Sequence, residues 1–551
     1  MTGAGTGYPN AAATRSGRSS ARVFYALLAV YLVVTLSLSS RYQYSLYPDA
    51  TSYLSIAQAY ARGQFWEAVN GYWAPFYCWL MAPLLAVGVD QLLAPKALAL
   101  VIGAFTLVGL RRLCRRLGSS EDATSIVLIA AVPPLICWSL TYITPDFLLV
   151  GVLTWYLSET LGRSPTSGVK AGLTAGALGG FAYLSKQYAL PFVAAHLGLA
   201  AALYCHQHRS RTARAAVRRW VIAAYVALLV VAGPWIVAMS TKYGRLTIAS
   251  SGTYNWYLPS TGFNVGTRTL AAPPFAGAVS AWVDPTPYAQ TAPSRFNPAL
   301  KANPTVPRWW GFKAALEQLQ RDAMMLERFS VLALPILAAT AVLAVRDSRR
   351  RADYRHAQLW LAFGLYFGGY QIATAWIEER LVWIVVVLLA VLGALLFQRL
   401  AAAVPLRPRA RLAAAILLVF SFWLLPALRL AQGRDDGREL YETALQLDRK
   451  GVRGRLASLN DYGDSLRVAF LNGSSYYGRI GLPATIETVS SELQSHEIDF
   501  LLIWTEKYPR QVPNLYRELA ERFPDATRGE MPELTALDVR GITTRPAAGP
   551  R

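Results

Sequence analysis

Up to about residue 430 the chain alternates long apolar runs with short polar segments, and after that point the pattern changes. Eleven runs occupy residues 23 to 40, 93 to 110, 123 to 141, 147 to 161, 168 to 184, 188 to 205, 220 to 239, 329 to 345, 358 to 376, 381 to 398 and 411 to 430. A helix needs roughly 20 apolar residues to cross a bilayer; the shorter runs reach that length by borrowing flanking aromatics and snorkelling arginines. The pattern predicts a polytopic α-helical membrane protein with about 11 transmembrane helices. The stretch from Ala74 to Val89 is also apolar, but counting it as a span would reverse every later loop. Residues 75 to 90, bracketed by Pro75 and Pro83, are therefore expected to pack on or dip into the outer leaflet.

Residues 431 to 551 carry apolar runs too short to span. Leu456 to Leu459, Ala469 to Leu471, Ile498 to Trp504 and Leu534 to Val539 fit strands, and Arg438 to Lys450, Ile486 to Ser495 and Pro513 to Arg522 fit helices. A small C-terminal α/β domain follows. Residues 1 to 22, rich in Gly, Ala, Ser, Thr and Arg, are expected to form a disordered cytoplasmic arm, and residues 23 to 40 lack a small-residue cleavage site and read as a retained first helix.

Charge sets the orientation. The net charge is +21, and the basic residues gather in alternate loops, at Arg15 to Arg22, Arg111 to Arg116, Arg163 to Lys170, Arg209 to Arg219, Arg346 to Arg355 and Arg399 to Arg411. Short loops on the other side hold only Arg41, Arg62, Lys186 and Arg380. Positive loops stay in the cytoplasm, so the N-terminus is expected inside, the C-terminal domain extracytoplasmic, and the protein in the plasma (inner) membrane. The same asymmetry explains the basic balance without a nucleic-acid partner. Cys78, Cys114, Cys137 and Cys205 lie in or beside apolar runs, which implies no disulfide framework.

Three regions then face outward. Residues 41 to 92 contain Asp49 at the start of an amphipathic helix that Gly63 stops, and the aromatic runs Phe65-Trp66 and Tyr72-Trp73-Ala74-Pro75-Phe76-Tyr77, which suit the membrane interface. Residues 240 to 328 form a long loop, of a length usually reserved for lids or binding elements. Its Trp309-Trp310 pair and the stretch from Phe312 to Phe329 are expected along the membrane surface. The third region is the C-terminal domain.

The outward ionisable residues recur at span ends: Asp49 after the first run, Asp146 in Thr144-Pro145-Asp146, Lys186 in Ser185-Lys186-Gln187, and Glu378-Glu379-Arg380 before a later run. Charges at the hydrocarbon edge are costly and often mark sites. All share one leaflet, which points to a common pocket of acids and cations. A carboxylate at that boundary can deprotonate a hydroxyl. Cations beside it can stabilise charge developing on a leaving group, and Asp49 with Asp146 offers oxygen ligands for a divalent cation.

An acid in the first outer loop, then Tyr-Trp-x-Pro-x-Tyr, Thr-Pro-Asp at a span start, Ser-Lys-Gln before a span and Glu-Arg-Leu before a later one occur here in that order. This order resembles the GT-C membrane glycosyltransferases, and within them the protein O-mannosyltransferase and aminoarabinose transferase branch, over about residues 23 to 430. The resemblance implies inverting transfer of a sugar from a polyprenyl-phosphate donor to a glycan, lipid or protein acceptor on the outer face. By the same resemblance Asp49 matches the first-loop catalytic acid, Asp146 the second outer acid, and Lys186 and Arg380 basic positions near the lipid phosphate. Departures are Ala50 where an acid is common, Ser52 for an Arg, Ala74 where a Lys is frequent, and Leu381 for a Tyr. They leave the sugar and the acceptor unspecified.

Each residue also has a plainer role. Asp49 and Asp146 are placed to cap helices, Lys186 and Arg380 to snorkel, and Glu379 to pair with Arg380. Tyr53, Trp73 and Tyr77 serve as packing or interfacial anchors as readily as contacts for sugar or lipid. His196 fits a hydrogen-bonded core residue and His496 a surface one. A transporter or flippase for a glycolipid is the competing function, and it expects ionisable groups near the bilayer midplane, whereas these lie at one side.

Overall fold

The computed structural model describes residues 11–161, 168–207, 210–255, 270–291, 312–350, 355–373, 378–405, 407–505 and 513–543. Trp309 and Trp310 lie outside the described residues, as do large parts of the 240 to 328 loop. Helices α1 (Ala11–Ser39), α2 (Pro48–Ala61), α3 (Phe76–Ala86), α4 (Leu93–Arg116), α5 (Glu121–Thr141), α6 (Pro145–Thr160), α7 (Val169–Ser185), α8 (Ala189–Gln207) and α9 (Arg211–Tyr243) come first. The short α10 (Thr286–Thr291) precedes α11 (Phe312–Phe329), α12 (Ala333–Arg350), α13 (Arg355–Ala373), α14 (Ile384–Ala403) and α15 (Pro408–Gln432).

The chain is an integral membrane protein, with fewer helices of spanning length among the described residues than the eleven expected. Among the described residues seven helices are long and apolar enough to cross, in α1, α4, α5, α8, α9, α14 and α15, or eight if α11 and α12, bent by 102° at their junction, count as one. The runs at 147 to 161 and 168 to 184 become α6 and α7, of 16 and 17 residues. At 1.5 Å per residue these are about 25 Å long, short of a hydrocarbon core of about 30 Å. Burial explains why α6 is apolar all round: every residue of it except Trp155 is inside the bundle. The run at 358 to 376 begins inside α13, which opens with Arg355, His356 and Gln358 and is interrupted by glycines and tyrosines. By contrast α9 and α15 keep exposed apolar faces, Ile222, Val226, Leu229 and Val230 on one and Leu412, Ile416, Leu417 and Phe420 on the other, as lipid-facing helices must. With 11 residues, α3 is too short to cross, in keeping with a helix that packs on the membrane surface.

Glycines bring α7 and α9 together. A Cβ at Gly172 would stand 2.3 Å from the Trp220 carbonyl oxygen and one at Gly176 1.9 Å from that of Ala224, so these helices pack backbone to backbone. The Gly172 and Gly176 spacing is the small-xxx-small pattern that permits such approach in membranes.

Helices α16 (Arg438–Arg449), α17 (Gly463–Leu471), α18 (Ile486–Ser495) and α19 (Pro513–Arg522) and strands β1 (Arg455–Ser458), β2 (Ser475–Arg479), β3 (Phe500–Trp504) and β4 (Leu534–Asp538) form the C-terminal unit. Its sheet has the order β2-β1-β3-β4, parallel except for the antiparallel β3–β4 pair. The expected strand at Ala469 to Leu471 is instead the end of α17, whose Leu466, Ala469 and Phe470 fall on one buried face at helical spacing; a short apolar run fits either period. The second strand is Ser475–Arg479, which alternates buried Tyr476 and Gly478 with half-buried neighbours.

This unit sits directly on α2. Gly463 lies against Pro48, Arg467 donates to the Leu46 carbonyl at 3.4 Å, and the Tyr441 and Tyr44 rings stand 4.5 Å apart. Tyr476 donates its N–H to the Val279 carbonyl at 2.6 Å, joining the sheet to the loop before α10. Helix α2 is consequently buried on most sides, Thr51, Ser52 and Ser55 included, rather than amphipathic as its sequence suggests.

Candidate functional site

Two helix starts and two loops meet at Arg380. Pro48 occupies the first turn of α2, where its fixed φ suits a helix start. The position before the helix is Tyr47, with extended backbone and no side-chain cap bond. Asp49 is therefore in the first turn and is not the cap, so its carboxylate is free to reach across to another element. The same happens at α6: Thr144 caps the helix by accepting from the Asp146 N–H, while Asp146 follows Pro145 inside the first turn. An acid there also meets the positive end of the helix dipole. Lys186 ends α7, and Glu379–Val382 forms a single 3₁₀ turn ahead of α14.

Arg380 Nη2 stands 2.5 Å from Asp49 Oδ2, Nε stands 2.5 Å from Glu378 Oε2, and Nη1 stands 3.8 Å from Asp146 Oδ2. The Tyr47 ring lies 4.6 Å from the guanidinium, and its hydroxyl donates to Glu378 at 3.4 Å. Asp146 in turn accepts from Thr144 Oγ1 at 2.5 Å and pairs with the Lys186 ammonium. Asp49, Asp146, Lys186 and Arg380 thus belong to one ion cluster in which the acids alternate with the cations. Asp146 is almost fully buried, whereas the Asp49 side chain keeps 20% of its exposure and is the acid that water and solutes can reach.

The electrostatics follow from this packing. Burial alone pulls the Arg380 guanidinium down, but Asp49, Asp146 and Glu378 outweigh it and hold its pKa well above the usual value. Burial lowers the Lys186 ammonium, and Asp146 offsets only part of that. Arg380 is the fixed cation of the cluster; Lys186 is the softer one, and its partner decides its charge.

Glu379 is in a different place from the one expected. It pairs with Arg429 on α15 and not with Arg380. Two consecutive acids on a 3₁₀ turn point in different directions, so Glu378 takes Arg380 and Glu379 ties the turn to α15. Sequence reasoning missed Glu378 and Tyr47 as partners of Arg380, although both adjoin residues it singled out. Tyr53, Trp73 and Tyr77 are buried behind the cluster, with ring centroids 4.8 and 6.0 Å from Tyr53 to the other two. Burial, with Asp146 and Asp49 nearby, raises the Tyr53 phenol well above its usual range, so it stays neutral. His196 is buried in α8 and bonded to Tyr156 at 2.9 Å.

Arg380 spans the gap between Asp49 and Asp146, and Lys186 covers the far side of Asp146. Each of the two acids pairs with a protein cation in this arrangement. Among the described residues no group of three or more His, Cys, Asp and Glu side chains converges.

No family model and no curated protein matches the chain. Solved structures do. ArnT from Cupriavidus metallidurans bound to undecaprenyl phosphate is 13% identical, with a TM-score of 0.58 over 96% of this chain and 99% of that one. Archaeal oligosaccharyltransferase AglB from Archaeoglobus fulgidus, solved with an inhibitory peptide and a dolichol-phosphate, is 10% identical, with a TM-score of 0.53 over 88% of this chain and 69% of that one. Mycobacterial arabinofuranosyltransferase AftD is 15% identical, with a TM-score of 0.50 over 93% of this chain and 40% of that one. At these identities the likeness is one of fold, and the chain has the GT-C-like fold of a polytopic membrane protein with a small C-terminal mixed-sheet domain.

Proposed function

We propose that the protein transfers a sugar from a polyprenyl-phosphate donor to an acceptor hydroxyl at the extracytoplasmic membrane surface, by a single inverting displacement. The observation that carries this reading is the cluster around Arg380: the partly exposed acid Asp49 at a helix start and two cations at span ends, in a fold shared with transferases solved bound to undecaprenyl phosphate and dolichol-phosphate. Orientation rests on the arginine-rich loops. Their members pair at the opposite ends of the helices, Arg112 with Glu159 and Arg399 with Asp347.

In the proposed reaction Asp49 takes the acceptor hydroxyl proton as its oxygen attacks the anomeric carbon. The bond from that carbon to the phosphate oxygen breaks, and the polyprenyl phosphate departs with the electron pair. General-base help of this kind contributes about 10² to 10⁴ in rate. Arg380 and Lys186 receive the developing phosphate charge in a site with little water, where such interactions are strong. The arrangement also orders the events. Before donor binds, Arg380 holds Asp49; a phosphate entering between Arg380 and Lys186 competes for the guanidinium and releases the carboxylate to act as base. Asp146 keeps Lys186 in place, and Glu378 and Tyr47 keep Arg380 in place.

The test is a screen of radiolabelled polyprenyl-phosphate sugars against membranes with and without the protein. Formation of a labelled product together with free polyprenyl phosphate, dependent on the protein, supports the reading. Absence of both with every donor and cell-envelope acceptor fraction defeats it.

A further inference from the structure

A cavity lies outside the Asp49 cluster and is lined by none of its residues. It measures about 470 Å³ and lies between the end of α9, the Trp66-Glu67 turn and the loop leading into α10. Its floor is a neutralised ion pair. Asp284, 4% exposed, accepts from Tyr243 Oη at 2.8 Å and from the Thr286 N–H at 3.2 Å, and stands 3.4 Å from Lys242 Nζ. Lys242 also donates to the Glu67 and Val69 carbonyls at 3.0 and 2.5 Å. Two carbonyls and the Asp284 carboxylate thus hold that ammonium, and its charge is already compensated. Trp66, Phe275 and Tyr288 are its aromatic lining residues. Trp66 is 52% exposed, and Glu67 adds a carboxylate at the rim.

Flat apolar faces over a hydroxyl- and carboxylate-bearing floor suit a sugar, whose C–H face stacks on rings while its hydroxyls find polar partners. A phosphate is disfavoured by the Glu67 charge and because Lys242, the cation among the described lining residues, is already paired with Asp284. An acyl chain is disfavoured by the polar floor, because hydrocarbon would leave those groups without water or partners. The lining segment is tied to α2. The carbonyl of Trp282, the residue after the lining Ala281, accepts from Trp73 Nε1 at 2.9 Å and from Ser52 Oγ at 3.4 Å, and Ser52 lies one turn beyond Asp49 on α2. Asn70 Nδ2 donates to the Val283 carbonyl at 2.6 Å and fixes the same turn.

We infer that this cavity is a binding subsite for a neutral saccharide chain, the part of a glycan acceptor that extends away from the reacting hydroxyl. This deepens the proposed transfer reaction and rests on it for the word acceptor; the binding itself does not. It also names the acceptor class: a glycan, held by residues outside the ion cluster.

The experiment titrates the purified full-length protein in detergent with neutral tetrasaccharides of glucose, mannose, galactose and arabinose, read by tryptophan fluorescence and saturation-transfer NMR. At least one should bind saturably. Trp66→Ala and Tyr288→Ala should each weaken it tenfold or more, and Asp49→Asn should leave it unchanged. The subsite is overturned if no tetrasaccharide binds, if binding survives both aromatic substitutions, or if brominated acyl chains quench Trp66 in liposomes with no competition from saccharide. Those results leave donor-dependent transfer standing. Failure of transfer with saccharide binding intact would instead overturn the catalytic reading and keep the subsite.

Discussion

Arg380 and Asp49 are 331 residues apart in the chain, yet a guanidinium nitrogen and a carboxylate oxygen lie 2.5 Å apart. The contact joins the 3₁₀ turn ahead of α14 to the first turn of α2, so two ends of the membrane domain are fixed against each other at the point where the acid meets water. Arg380 side-chain exposure is 11%, which makes the pair a partly buried one whose members depend on each other.

Arg380→Lys should be a severe substitution despite keeping the charge. A lysine has one point of attachment, whereas Arg380 engages Asp49 and Glu378 through separate nitrogens and stacks on Tyr47. The expected outcome is a loss of transfer of about 10²-fold or more, matching the cost of removing one preorganised donor to developing charge. Steady-state assays with varied donor check it; full activity in the lysine variant would show that the fork geometry is not used.

Glu378→Gln and Glu379→Gln should separate, although the residues are neighbours. Glu378 steadies Arg380, so its loss should lower transfer about tenfold with little change in stability. Glu379 pairs with Arg429. Its loss should cost about 1 to 3 kcal/mol of stability, as for a hydrogen-bonded charged group, and leave turnover per folded molecule within about threefold. Activity normalised to monodisperse protein on gel filtration, with thermal denaturation in detergent, distinguishes the two.

Much of this arrangement was legible in the residues. The sidedness of Asp49, Asp146, Lys186 and Arg380 followed from arginine clusters and apolar runs, and each now sits in one cluster. Partner identity was not legible, because which of Glu378 and Glu379 faces Arg380 depends on a 3₁₀ turn that neither the period of a helix nor of a strand describes. The capping roles expected of Asp49 and Asp146 failed for a local reason: in both Tyr47-Pro48-Asp49 and Thr144-Pro145-Asp146 proline takes the first helical position, which moves the cap one residue before it and the acid inside. Fewer helices of spanning length are found among the described residues than apolar runs were counted, because the runs at 147 to 161 and 168 to 184 form helices of only 16 and 17 residues, and α6 is packed within the bundle.

Gly176→Ala should destabilise the protein, because the new methyl group would meet the Ala224 backbone at 1.9 Å and backbone cannot rotate away. An overpacking cost of about 1 to 3 kcal/mol is expected. Gly364→Ala on α13, where a Cβ meets nothing within 4 Å, should instead be neutral or stabilise by up to about 1 kcal/mol through helix propensity. Thermal denaturation of both variants in the same detergent checks the contrast.

The most direct measurement of the central claim is the single-turnover rate of purified Asp49→Asn with a radiolabelled polyprenyl-phosphate sugar that the wild type uses, alongside binding of undecaprenyl phosphate to both proteins. Asparagine keeps the size of the side chain and removes its basicity. The account predicts a rate lower by about 10² to 10⁴, with lipid-phosphate binding retained or tightened because Arg380 no longer pairs with a carboxylate. A variant that transfers sugar at the wild-type rate would contradict it.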